Sequence, residues 1–96
     1  MNPFDLTGRV ALVTGATSGI GAATAVLLAR RGAHVLVAGR DGSRGEAVVD
    51  AIRARGGKAD FVAADLREAQ AVRRLAQQAV DLGGRVDILV NNAVGG

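Results

Sequence analysis

The sequence predicts an α/β protein, a doubly wound parallel sheet built in the order β-α-β-α-β-α-β with its strands arranged 3-2-1-4. Three observations carry that prediction. Short apolar runs alternate with longer amphipathic ones along all 96 residues, the pattern of βαβ units. The composition is 49% hydrophobic but only 2% aromatic, so the core is packed from Ala, Val, Leu and Ile, which suits a sheet covered by helices. A glycine-rich segment follows directly on the first apolar run, where Rossmann-type folds carry their phosphate-binding turn.

The elements follow in order. Arg9 to Thr14 is a near-continuous apolar run, as expected of a central strand buried on both faces. Ile20 to Arg31 reads as a helix with Ala23, Val26, Leu27 and Arg30 at helical spacing, and Gly32 stops it. His34 to Ala38 is the second strand, and His34 is expected to be a solvated residue at its entrance. Ser43 and Glu46 have the spacing of a capping box for the next helix, which buries Ala47, Val48, Ala51 and Ile52 and ends at Gly56-Gly57. Lys58 to Ala63 is a third strand. Arg67 to Asp81 is a third helix, with Val72, Leu75, Ala76, Ala79 and Val80 on its buried side and Gly83-Gly84 after it. Val86 to Val90 is the fourth strand, and right-handed crossovers make the sheet parallel.

Composition excludes several classes. There is no cysteine and a single histidine, which removes disulfides, thiolate sites and multi-histidine metal sites. No apolar run reaches the length of a membrane span and the start lacks a leader pattern, so a soluble cytoplasmic protein is expected. The net charge is +3, but the arginines are scattered over predicted helix faces without interleaved aromatics. Nucleic acid is therefore not an expected partner.

The chemistry lies in Thr14-Gly15-Ala16-Thr17-Ser18-Gly19-Ile20-Gly21. A dinucleotide pyrophosphate needs close backbone approach, several N–H donors and a helix N-terminus aimed at it. Gly15 permits a sharp exit from the strand, Gly19 lacks the Cβ that would hold a phosphate off, and Gly21 lets the helix start pack closely. Thr17 and Ser18 offer hydroxyls. An ordinary βα turn carrying three glycines is the alternative.

The spacing Gly-x-x-x-Gly-x-Gly, preceded by Leu6 and Gly8 and followed by Asp65-Leu66 and Asn91-Asn92-Ala93, resembles the compact branch of the short-chain dehydrogenase/reductase family. The resemblance spans essentially the whole chain. It implies that the backbone at Gly15, Ser18 and Ile20 faces the pyrophosphate and adenosine ribose. Asp65 would bond the adenine amino group, with the Leu66 N–H beside the ring. Asn91 and Ala93 would lie against the ribose and the path to nicotinamide, and Asn92 would help hold the central strand. Asp65 also reads as a helix cap before Arg67, and the two roles can coexist.

Arg40 bears on the cofactor. NAD sites place a carboxylate at the end of the second strand to bind the ribose 2′-OH. Here that region reads Ala38-Gly39-Arg40, and a guanidinium pairs with a 2′-phosphate, so NADP(H) is favoured over NAD(H). Asp41 complicates this, since it stands where it can neutralise Arg40 or bind a ribose itself.

Two departures from the family stand out. Val94 replaces the glycine of the family's Asn-Asn-Ala-Gly. The resemblance implies that the family's Ser, Tyr and Lys lie beyond the point where this sequence stops; the chain has no tyrosine, its one lysine, Lys58, is in the wrong region, and no residue is assigned a catalytic role. The chain is therefore expected to be a single NAD(P)-binding Rossmann domain over residues 1–96, truncated before the catalytic half of an oxidoreductase and inactive alone. In the family's reaction, hydride passes between NAD(P)(H) and a carbonyl or alcohol. A non-catalytic dinucleotide-binding module or an inactive remnant is the alternative. Family members are usually homo-oligomers, and Val86, Ile88 and Val90 are expected to be exposed on an edge strand that invites association.

Overall fold

A computed structural model of the chain describes residues 5–17, 19–65 and 69–92. The elements run β1 (Val10–Thr14), α1 (Gly19–Arg30), β2 (His34–Gly39), α2 (Gly42–Ala54), β3 (Lys58–Ala63), α3 (Ala69–Gly83) and β4 (Ile88–Asn91). All pairings are parallel and the strand order is β3-β2-β1-β4, the doubly wound arrangement expected from the sequence.

Strand alternation divides the core into two layers. Ala11, Val13, Val35 and Val37 face Ala25 of α1 and Val49 and Ile52 of α2. Val10, Leu12, Leu36, Ala38 and Val62 face Leu75 and Ala79 of α3. β1 is buried along its whole length, which is why Val10 to Thr14 carries no polar alternation.

Several packing details differ from the sequence reading. α1 turns Ala25, Val26, Leu28 and Ala29 to the sheet and leaves Ala23 and Leu27 exposed, because its apolar residues run nearly all round and leave the buried face open to choice. The cap of α2 is Asp41 rather than Ser43: its side chain accepts from the Arg44 N–H at 3.0 Å, so the helix starts two residues earlier. Gly45, Val49 and Ile52 form the buried side of α2, with Ala47 and Ala51 exposed. In α3 the buried line is Ala71, Leu75 and Ala79, with Ala76 and Val80 exposed, while the Val72 side chain lies outside the described residues.

β4 corrects the edge-strand expectation by parity. Register pairs Ile88 and Val90 with Ala11 and Val13, so both pack half-buried on the α1 side. Leu89, paired with Leu12 on the face covered by α3, is instead 64% exposed, and Val86 is exposed as expected. His34 is not simply solvated: its Nε2 lies 2.7 Å from Asp60 Oδ2, and Arg53 Nη2 meets the other carboxylate oxygen at 3.0 Å.

Asp87 fastens β4 to β1 at the entrance of the sheet. Its N–H donates to the Val10 carbonyl at 2.8 Å and its Oδ2 accepts from the Val10 N–H at 2.8 Å. The Arg85 side-chain hydrogen bond, followed by the Val10 N–H, holds the Asp87 carboxyl below its ordinary range. A carboxyl whose pKa is lower folded than unfolded stabilises the fold above the unfolded value of about 4, and loses that contribution as pH falls through the folded value. Asp87→Asn should therefore lower the thermal midpoint at neutral pH. The gap to the unaltered protein should narrow as pH falls through the lowered folded pKa of Asp87, and close once the carboxyl is protonated in both states. A gap independent of pH would mean that the Asp87 charge has no part in the clamp.

Candidate functional site

A parallel sheet delivers the carboxyl ends of all its strands to one edge, and this sheet does so in close register. Thr14 lies opposite Ala38 on one side and Asn91 on the other, and Gly39 lies opposite Ala63. Each following loop is bonded to the strand beside it: Ala16 N–H to the Ala38 carbonyl at 3.1 Å, Ala64 N–H to Gly39 at 3.0 Å, and Asn92 N–H to Thr14 at 3.2 Å. The glycine turn, Arg40, Asp65 and Asn91 thus share the edge where strand order reverses about β1, the usual ligand position in such sheets.

Within the turn, Gly15 and Gly19 hold φ of 63° and 60°, the left-handed region that favours glycine. A Cβ on Gly21 would fall on the Gly15 carbonyl, so the first turn of α1 lies directly against the loop. A Cβ on Gly19 would meet nothing within 4 Å. That position faces open space at the helix N-terminus, where free N–H groups and the helix dipole favour an anion. Ile20 is 79% exposed beside it. The Thr17 methyl packs on Gly39, so the turn abuts the end of β2.

Arg40 is exposed immediately after β2. Asp41 does not neutralise it, because its carboxylate caps α2 and lies 3.5 Å from Arg44 Nε. Arg40 lines a groove of about 330 Å³ with Ala63, Ala64, Asp65, Ala71 and Arg74. A larger cleft of about 500 Å³ lies between α1 and α2 at the opposite end of the sheet. Its charged groups, Arg30 and Arg55, sit where they compensate helix C-termini, so it offers no comparable ligand chemistry.

Two features of the site escaped the sequence reading. Thr14, 4% exposed, donates its hydroxyl to Asn91 Oδ1 at 2.8 Å and so orients that amide. Its signal was a hydroxyl at the last position of an otherwise apolar strand. Arg74, grouped there with the solvent-facing arginines, lines the groove. The Asn92 Nδ2 is buried without a hydrogen-bond partner among the described residues. Ser18, Leu66, Ala93 and Val94 lie outside the described residues. Among the described residues no cluster of potential metal ligands occurs, and no helix is long and apolar enough to cross a membrane.

A family profile for short chain dehydrogenases matches residues 9–96. An uncharacterized oxidoreductase of Mycobacterium tuberculosis is 47% identical over 96 residues, all of this chain and 36% of that protein. A crystal structure of a hydroxysteroid dehydrogenase from Escherichia coli superposes with a TM-score of 0.92 at 40% identity, covering 96% of this chain and 39% of that one. A metagenomic short-chain oxidoreductase crystallised in complex with NADP gives a TM-score of 0.90 at 44% identity, covering 96% and 42%. The chain thus spans little more than a third of the length of these relatives.

Proposed function

This chain belongs to the short-chain dehydrogenase family, and from that premise we propose that its strand-end surface holds a nicotinamide dinucleotide, NADP(H) in preference to NAD(H). The dinucleotide serves hydride transfer between cofactor and a carbonyl or alcohol substrate. The residues suit such a group: the backbone approach at Gly21, the open space over Gly19 and the helix N-terminus together make a phosphate cradle. Gly15, Thr17, Ser18, Gly19, Ile20 and Gly21 hold the pyrophosphate, Asp65 and Leu66 the adenine, and Asn91 and Ala93 the ribose and the approach to nicotinamide. The bound dinucleotide supplies or accepts a hydride. What these residues do is bind and orient it, since with no tyrosine among the 96 the proton-transferring acid of this family is sought elsewhere.

One observation carries the cofactor preference. Arg40 stands at the end of β2 while the nearest carboxylate in sequence, Asp41, is taken up by its own helix and by Arg44. An NAD site would aim that carboxylate at a ribose. Titration of the intact protein with NADPH and NADH by calorimetry tests the assignment. NADPH should bind more tightly, and Arg40→Ala should weaken it roughly 10- to 100-fold, the size expected of a charge-assisted bidentate contact, while NADH changes little. Equal or tighter NADH binding by the unaltered protein would overturn the preference.

A further inference from the structure

We infer that Arg74 is a second specificity-determining cation, acting with Arg40 on the 2′-phosphate of the dinucleotide from the groove that both residues line. This rests on the NADP(H) reading above and extends it from the strand end to the neighbouring helix.

The groove brings together residues from three places in the chain. Ala63 and Ala64 come from the end of β3 and Arg40 from the end of β2. Ala71 and Arg74 sit one turn apart on the same side of α3. Ala71 is buried, so that side of the helix is seated against the fold and its neighbour Arg74 is carried to the groove's rim. Apart from Asp65 and the two arginines the lining is alanine, which is small and nonpolar. At about 330 Å³ the groove is at the lower end of the range for small-molecule sites, suited to one part of a ligand rather than a whole dinucleotide.

Charge gives the groove its selectivity. Two arginines and one aspartate line it, leaving a net positive charge among its residues. Two like charges on one small groove repel each other, and Asp65 compensates at most one of them. A phosphate carrying close to two negative charges reverses that repulsion, whereas a ribose hydroxyl in its place leaves the cations with only neutral acceptors. Arg74 and Asp65 each already have a polar partner. A guanidinium has five N–H donors and so can serve more than one acceptor. Packing does not demand arginine here: a helix position beside alanines would be filled at lower entropic cost by a shorter side chain.

The test compares ligands that differ only at the 2′ position. Adenosine 2′,5′-bisphosphate against adenosine 5′-monophosphate, and NADPH against NADH, are titrated into the intact protein and into Arg74→Gln, Arg74→Lys and Arg40→Ala. Thermal unfolding confirms that each variant is folded. Arg74→Gln should weaken both 2′-phosphorylated ligands by about 5- to 10-fold, as a partly exposed charged contact would. The ligands lacking that phosphate should stay within about twofold, and Arg74→Lys should recover part of the loss. If Arg74→Gln weakens all four ligands alike, Arg74 shapes the groove without reading the phosphate, and the inference is overturned. If Arg40→Ala is selective and Arg74→Gln has no effect, the inference fails while the cofactor preference stands. An unaltered protein that does not favour 2′-phosphorylated ligands removes the preference and the inference together.

Discussion

Replacing Gly21 with alanine is expected to abolish measurable dinucleotide binding and to lower stability by about 1–3 kcal/mol, the range for forcing a methyl group into a packed site. The added Cβ falls on the Gly15 carbonyl, which is backbone and has no rotamer by which to escape. Either α1 must lift from the loop or Gly15 must leave the left-handed conformation that aims the turn. Both movements displace the N–H groups proposed to face the pyrophosphate. Gly19→Ala is the informative comparison, since its Cβ meets no protein atom and its cost to the free protein is the strain of a φ of 60°. Chemical denaturation and calorimetry together separate the cases. Gly21→Ala should lose stability and binding, and Gly19→Ala should lose mainly binding. Full affinity in Gly21→Ala would dissociate the turn from the ligand.

The largest purely structural effect is expected at Leu36. It is 0% exposed at the centre of β2, among Val10, Leu12, Val62 and Leu75 on the side of the sheet covered by α3. Truncation to alanine removes three carbon atoms from a packed interior and should cost about 2–5 kcal/mol, much of the total stability of a small domain. Denaturant unfolding measures the loss. At low temperature, where the variant is still folded, NADPH affinity should be near that of the unaltered protein, because Leu36 lies mid-strand, short of the loop-bearing edge. A parallel fall in affinity would show that the edge is not independent of the core beneath it.

The fold was legible because its signals are local and redundant. Val10 to Thr14 and His34 to Gly39 are apolar without alternation, the helices between them end at glycines, and strand order follows from crossover handedness. Which side of each helix is buried was less legible. α1 offers apolar residues in nearly every direction, so Leu27 and Leu28 compete on equal terms and only the sheet decides. At β4 the sequence marks Val86, Ile88, Leu89 and Val90 as apolar, but exposure depends on which face α3 leaves open, a tertiary fact. The Asp41 cap was missed because Ser43 and Glu46 have the textual spacing of a box, while the backbone turns into the helix two residues earlier. In the site, the glycines, Arg40, Asp65 and Asn91 could be named from motif and strand end. Thr14 and Arg74 could not, since their importance comes from neighbours 77 residues away in one case and from groove geometry in the other.

The backbone bonds that tie Ala16, Ala64 and Asn92 to the ends of adjacent strands bear on kinetics. They extend the sheet ladder one step beyond the strands, so the backbone at Ala16, Ala64 and Asn92 is held before a ligand arrives. Backbone held at these three points spares an incoming ligand the cost of ordering it there. Association should then be fast and nearly alike across variants of the side chains around it. Differences in affinity should appear in how long the ligand stays, as slower or faster release.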